Sequence, residues 1–222
     1  MLDWFLLFLQ IMLINIVLSG DNAVVIALAS KHLPADKRRL AIWWGAFGAI
    51  ALRVILTIIA VSILSVPFVQ AFGSILLFWI AIKLLIEDEG VADIKGAATL
   101  GKAIWTIIVA DFVMSLDNVL AIAAKADNNM AVIVLGIGLS VPIIIWGSTI
   151  VMSLLTKYPI FVYLGAALLG YTAGEMFLKD QVVIDLLDSS FPHWIIPIAA
   201  TLIVIGAGLW RKLWLRPKVH HF

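Results

Sequence analysis

The sequence contains no cysteine among its 222 residues, which excludes disulfide bonds, thiolate metal sites and cysteine nucleophiles. Charge is also scarce: 13% of the residues are charged and the net charge is +1, whereas an ordinary soluble domain has about 25% charged residues. The basic residues are scattered, which gives no case for nucleic-acid binding. No G-x-x-x-x-G-K-[ST] string is present, so ATP does not drive any process within this chain.

Apolar residues are abundant instead, at 64% of the chain. Apolar stretches of about 18 residues or more predict membrane-spanning helices, because each has to cross a hydrocarbon core of roughly 30 Å. We therefore predict an all-α membrane protein with about seven transmembrane helices in a single transmembrane domain, 1–222. The predicted spans are 3–29, 39–64, 67–87, 103–125, 130–155, 158–178 and 194–214.

The lysines and arginines predict the orientation of these spans. Of the 15 in the sequence, eleven fall in loops or ends on one side, two (Lys125 and Lys179) fall on the other, and Arg53 and Lys83 lie within spans. Because basic loops stay in the cytoplasm, the N-terminus is expected outside and the C-terminus inside. The predicted location is the inner or plasma membrane of a bacterium, as a multi-pass protein.

An internal repeat connects the two halves of the chain. The pattern Asn15-x-x-x-Ser19-x-Asp21-Asn22 returns 96 residues later as Asp111-x-x-x-Ser115-x-Asp117-Asn118. A second match, at an offset of 92, aligns the third predicted span with the sixth. The repeating unit has three helices, an odd number, so the two copies are expected to run in opposite directions, as in many secondary transporters. Repeat 1 covers about 3–87, repeat 2 about 100–178, and the helix at about 194–214 lies outside both.

Three aspartates of this repeat, Asp21, Asp111 and Asp117, lie in otherwise apolar spans. A carboxylate at the centre of a membrane helix costs about 2.5–3.5 kcal/mol, so a functional site that lines a cavity is the preferred interpretation. The alternative is that the polar groups hydrogen-bond between helices and hold the bundle together.

Helical geometry separates the polar residues of each copy into two directions. Asp111, Ser115 and Asn118 share one face of a regular helix, and their repeat equivalents do the same, whereas Asp117 and Asp21 point about 120° away. Either these two carboxylates address a different neighbour or the helices are broken nearby. We predict local unwinding around 18–22 and 114–118, because broken helices free carbonyl groups to bind cations.

The candidate ligands are carboxylates, amides and hydroxyls, a set that hard divalent cations such as Mg²⁺, Ca²⁺ and Mn²⁺ prefer. Arg53 either serves as a counter-charge for an empty site or pairs with one aspartate. Lys83 and Glu175 lie nearer span ends, where they either extend to the interface or take part in the site. The candidate metal ligands are Asn15, Ser19, Asp21, Asn22, Asp111, Ser115, Asp117 and Asn118.

The paired Ser-x-Asp-Asn motifs resemble those of the TerC family of integral membrane proteins, over roughly 5–215. Members of that family are associated with manganese export, and the resemblance implies that the same eight positions form the metal site. Export of a divalent cation against an inside-negative potential costs about 4.6 kcal/mol per 100 mV. Proton entry is the expected source of that energy, because buried carboxylates can hold protons when the metal is absent. Asp21, Asp111 and Asp117 would then alternate between metal and protons.

The expected function is therefore export of a divalent cation, Mn²⁺ first, in exchange for protons, with the metal as transported substrate and no prosthetic group. The expected partners are the lipid bilayer, the divalent cation and protons, without nucleic acid; a homo-oligomer is left open. The main alternative is a non-transporting membrane scaffold in metal homeostasis or stress resistance. No enzyme is expected: an intramembrane aspartyl protease is disfavoured, because the G-x-G-D string of such proteases is missing.

Overall fold

In the computed structural model, the described residues are 9, 20–64, 66–89, 99–125, 130–186 and 192–214. Every regular element in these ranges is a helix, so the all-α class is confirmed for this part of the chain. The helices are α1 (Gly20–Ser30), α2 (Ala35–Leu64), α3 (Val69–Glu89), α4 (Leu100–Lys125), α5 (Met130–Lys157), α6 (Ile160–Leu178), α7 (Gln181–Leu186) and α8 (Ile195–Trp214).

Five of the described helices contain a segment long and apolar enough to cross a membrane. These five overlap the second, third, fifth, sixth and seventh predicted spans, so a multi-pass membrane protein is confirmed. The segments are Ala35–Ile59, Val69–Glu87, Ile137–Lys157, Ile160–Leu178 and Ile195–Leu213.

The first and fourth predicted spans are not among these five. Helix α4 covers the fourth as one helix of 26 residues, and it carries the charged residues Lys102, Asp111, Asp117 and Lys125. Helix α1 is a shorter apolar helix at the end of the first predicted span, most of which lies outside the described residues. The seven-helix count, the repeat and the N-out/C-in orientation therefore stay predictions.

Helices α2 and α4 pack closely and run in the same direction. A side-chain carbon added at Gly45 would lie 2.8 Å from the Ile107 side chain, and one added at Gly48 would lie 2.6 Å from Ile108. The absence of side chains on these two glycines lets the helix axes approach, as small residues do in membrane bundles. This approach brings Arg53, two turns further along α2, to the polar face of α4.

The remaining contacts join helices of one half of the chain to helices of the other half. Gly73 of α3 packs against Val113 and Leu116 of α4, while Gly165 of α6 packs against Val24 and Leu28 of α1. Likewise α2 packs on α4 and α5 packs on α1. Each half thus places its later helices on the first described helix of the other half.

Helix α8 packs against α6 at Gly170 and Gly174, which form a Gly-x-x-x-Gly pair. A side-chain carbon at Gly174 would lie 2.4 Å from the Cα atom of Pro197, and one at Gly170 would lie 3.3 Å from the carbonyl oxygen of Ala200. The two backbones are therefore in direct contact, as Gly-x-x-x-Gly motifs allow in membranes. This contact attaches α8 to α6, and α8 also packs on α3.

A buried carboxylate joins the two halves at one end of the bundle. Asp180 follows α6 and is 3% exposed. Its Oδ2 atom accepts hydrogen bonds from the backbone N–H groups of Gln70 (3.2 Å) and Ala71 (3.1 Å), and its Oδ1 atom accepts one from Val182 (3.0 Å). The carboxylate therefore caps the N-terminus of α3, where its negative charge also interacts favourably with the positive end of the helix dipole.

We expect Asp180→Ala to lower the free energy of unfolding by about 2–3 kcal/mol, because it leaves buried N–H groups of α3 without their charged acceptor. Thermal unfolding of the purified protein in detergent micelles measures this change. Asp185→Ala is the matched control, since Asp185 lies on the adjacent helix α7 and is exposed. Equal stability of the two variants would show that the cap contributes little.

Candidate cation site

The centre of the candidate site is an ion pair between α2 and α4. Arg53 is 1% exposed, and its Nη2 atom forms a salt bridge with Oδ1 of Asp111. Its Nε atom donates a hydrogen bond to Oγ of Ser115 at 2.8 Å. The Ser115 hydroxyl donates in turn to Oδ2 of Asp111 at 3.2 Å. Three polar side chains thus close a hydrogen-bonded ring inside an otherwise apolar bundle.

The local sequence explains this ring. Asp111 and Ser115 are four residues apart on α4 and therefore lie one above the other on the same helix face, as the sequence predicted. On α2, Ala46, Ala49 and Arg53 follow one another at helical spacing, so two small residues precede the long side chain on the face that meets α4. Ala46 and Ala49 leave space beside the guanidinium, and this space is the cavity described next.

Asn22 is the contribution of α1. Its side chain is 3% exposed, yet neither its Nδ2 nor its Oδ1 atom has a hydrogen-bond partner within the part of the chain that the structure describes. A buried polar group without a partner costs about 1–3 kcal/mol, and such groups are rare in folded proteins. The amide therefore offers an NH₂ donor group and a carbonyl acceptor to a molecule or ion in the adjacent space.

That space is a cavity of about 20 Å³, which is room for roughly one water-sized occupant. Its polar wall consists of Asn22, Arg53 and Asp111, from three different helices, and its remaining wall is apolar. The lining residues are Asn22, Val25, Ile26, Ala46, Ala49, Ile50, Arg53, Ile107, Asp111 and Ile144.

Asp21 lies next to this cavity rather than in its wall. Its side chain is partly exposed, and its Oδ1 atom accepts a hydrogen bond from the backbone N–H of Asn22 at 3.0 Å. Asp21 and Asn22 are consecutive residues of α1 and point in different directions, as helical geometry predicted.

The structure brings together three of the eight predicted ligands, Asn22, Asp111 and Ser115, with Asp21 beside them. Asp117 and Asn118 lie in α4, but their side chains are outside the described part, as are Asn15 and Ser19 altogether. Within the described residues, no three His, Cys, Asp or Glu side chains are close enough together to hold a metal ion. The described side chains therefore supply part of a ligand set, and the metal role of the eight residues stays a prediction.

The predicted unwinding at 114–118 is wrong for this conformation. Helix α4 is continuous from Leu100 to Lys125, because its polar side chains hydrogen-bond with Arg53 and with each other and leave the backbone ladder intact. In the other predicted segment, residues 20–22 belong to α1, and residues 18 and 19 lie outside the described residues.

The structure also shows where the other charged side chains of the predicted spans lie. Arg53 pairs with one aspartate, Asp111, and at the same time lines the cavity. Lys83 instead lies over the ring of Trp79 on its own helix, with Nζ 4.7 Å from the ring centroid, and Glu175 is exposed. The sequence analysis missed the apolar wall of the site, and the spacing of Ala46, Ala49 and Arg53 was the signal that could have found it.

Comparison with known proteins gives a family match over nearly the whole chain: residues 2–219 match the family described as "Integral membrane protein TerC family". The chain is 41% identical over 211 residues to "Uncharacterized membrane protein YjbE" of Bacillus subtilis (strain 168), which covers 95% of this chain and 97% of that protein. Two further Bacillus subtilis proteins each match half of this chain. "Uncharacterized membrane protein YceF" is 29% identical over 47% of its length, and "Uncharacterized membrane protein YkoY" is 33% identical over 36% of its length. No solved structure matches the chain significantly.

Proposed function

Because the chain belongs to the TerC family of integral membrane proteins, a family associated with metal-ion transport, we propose that it is a secondary transporter for a divalent cation. The proposed substrate is Mn²⁺, and the proposed direction is export in exchange for protons. The observation that carries the proposal is the meeting of Asn22, from the first copy of the repeated motif, with Asp111, from the second, at one buried cavity.

The chemistry of the site supports a hard cation as substrate. Apart from the guanidinium of Arg53, its polar groups are a carboxylate, an amide and a hydroxyl, which supply oxygen ligands of the kind that Mg²⁺, Ca²⁺ and Mn²⁺ prefer. The amide oxygen of Asn22, which has no hydrogen-bond partner among the described residues, is available as a ligand. An ionisable group such as Asp111 is energetically unfavourable inside a membrane, and such groups commonly line ion pathways.

Proton exchange is proposed because outward movement of a divalent cation has to be driven. Against an inside-negative potential the cost is about 4.6 kcal/mol per 100 mV. Protons that enter through the same carboxylates can supply it, since metal binding and protonation exclude each other at one carboxylate. A bacterial plasma membrane, which carries both the potential and a proton gradient, is the proposed location.

Reconstitution into lipid vesicles tests this function. We expect the purified protein to move Mn²⁺ into vesicles that contain a Mn²⁺-quenched fluorophore, faster than protein-free vesicles, and to respond to an imposed pH gradient. Mn²⁺ flux that is insensitive to the pH gradient would contradict only the coupling to protons. Absence of Mn²⁺ flux would contradict the transport function itself. A scaffold protein would show neither flux nor a change in thermal stability on titration with Mn²⁺, Ca²⁺ or Mg²⁺.

A further inference from the structure

We propose that Arg53 is a tethered competitor of the transported cation: the guanidinium and the divalent cation occupy Asp111 in turn. This inference rests on the proposed function and concerns the regulation of the same site. In the present conformation Arg53 holds the carboxylate, and the site is closed to a metal ion until the side chain moves away.

The first argument is the occupation of Asp111. Its Oδ1 atom receives the guanidinium of Arg53, and its Oδ2 atom receives the hydroxyl of Ser115 at 3.2 Å. Arg53 also holds Ser115 through its Nε atom. Both carboxylate oxygens and the neighbouring hydroxyl are therefore engaged, and a cation gains them as ligands only when these hydrogen bonds break.

The second argument is ligand number and charge. The polar wall of the described cavity offers oxygen atoms from two side chains, Asn22 and Asp111, which is fewer than the six to eight oxygen ligands of a typical Ca²⁺ shell. A divalent cation in the cavity would also face the buried positive charge of Arg53, and the low dielectric of the interior strengthens that repulsion. Metal binding at Asp111 and the present position of Arg53 are therefore incompatible.

The third argument is the difference between the two copies of the repeat. The position of Asp111 in the second copy is Asn15, a neutral residue, in the first. Helix α2, which packs on the helix of Asp111, carries Arg53, whereas α5, which packs on α1, has no lysine or arginine from 130 to 156. The buried cation thus belongs to the first copy but contacts the additional carboxylate of the second, which indicates that it is matched to the charge of Asp111.

The consequence of this competition is that Arg53 favours release of the bound cation from Asp111. Asp111 is neutralised by Arg53 when the metal leaves, so the empty site does not retain an unpaired buried charge. Each binding event has to displace the guanidinium, which lowers the affinity for the metal. Arg53 would therefore set affinity and release rate together, rather than serve only as a structural partner of Asp111.

Titration with Mn²⁺ tests the competition directly. We expect Arg53→Gln to bind Mn²⁺ about tenfold more tightly than the unmodified protein. In the unmodified protein Mn²⁺ has to break a hydrogen bond between Arg53 and the charged Asp111, and the free energy of one such bond corresponds to about a tenfold change in affinity. Arg53→Lys, which keeps the charge but loses the two-point contact, should lie between the two. In vesicles, Arg53→Gln should show a lower KM and a lower maximal rate. Lys83→Gln is the control, because it removes a membrane-embedded cation that contacts Trp79 and should leave the affinity unchanged.

A purely structural Arg53 predicts other results. Arg53→Gln would then lose stability and bind Mn²⁺ with unchanged or weaker affinity, which would overturn the proposal. If Arg53→Gln cannot be purified in folded form, equal affinity of Arg53→Lys and the unmodified protein would overturn it as well. If the unmodified protein itself fails to bind Mn²⁺, the proposed function fails, and this outcome is distinct from binding that is insensitive to residue 53.

Discussion

Replacement of Asn22 by leucine is expected to abolish Mn²⁺ transport while the protein becomes more stable. The amide of Asn22 is 3% exposed and lacks a hydrogen-bond partner among the described residues. An apolar side chain of similar size removes this buried polar group, which should raise the free energy of unfolding by about 1–3 kcal/mol. Transport should fall by about tenfold or more, because a ligand to the cation is lost.

The opposite signs of these two effects make the experiment informative. A polar residue that only held the bundle together would lose stability on replacement, and transport would fall as a consequence of unfolding. Thermal unfolding and vesicle flux measured on the same preparation separate the two cases. Ser74→Ala is the matched control: Ser74 is also buried at 3% exposure, but its hydroxyl donates to the carbonyl oxygen of Ala71 at 2.7 Å. Full transport by Asn22→Leu would remove Asn22 from the site.

Replacement of Asp111 by asparagine is expected to have the largest effect on both stability and transport. The single change removes the carboxylate that forms the described salt bridge with the buried guanidinium of Arg53, and breaking a buried ion pair in this way costs about 3–5 kcal/mol. Transport should be lost, because Asp111 is the carboxylate that α4 contributes to the described cavity.

The double variant Arg53→Gln/Asp111→Asn separates the two roles of Asp111. With both charges removed, neither member of the described salt bridge is left without the other, so most of the lost stability should return, since a neutral pair often replaces a buried ion pair without net cost. Transport should stay absent, because the ligand has not been restored. A double-mutant cycle on unfolding free energies gives the coupling of the pair. Recovery of Mn²⁺ flux in the double variant would show that Asp111 acts only through Arg53 and does not bind the cation.

Several features of the site could be predicted from the sequence because they depend on spacing along one helix. Asp111 and Ser115 share a face since they are four residues apart, and the structure places their side chains in hydrogen-bond contact. Asn22 and Asp21 point apart for the same reason. The convergence of the two motifs could be anticipated from the repeat, because inverted copies bring equivalent helices to a common interface.

The prediction of unwinding at 114–118 failed for a reason that no single helix reveals. The sequence shows that polar groups inside a membrane need partners, but it does not show whether the backbone or another side chain provides them. Here Arg53 reaches Asp111 and Ser115, so α4 keeps its regular hydrogen bonds. That reach depends on the distance between α2 and α4, which the contacts of Gly45 and Gly48 with Ile107 and Ile108 set.

The sequence by itself determined the helical class, five of the membrane-crossing segments and the polar faces of α1 and α4, because hydropathy and helical period are properties of consecutive residues. Only the tertiary structure decided that Arg53 holds Asp111, that Asn22 faces a cavity without a described partner, and that Asp180 caps α3. The contacts of Arg53 and Asp180 join residues that are 58 and 110 positions apart. All three features depend on how closely helix backbones approach, which the order of residues along a single helix does not fix.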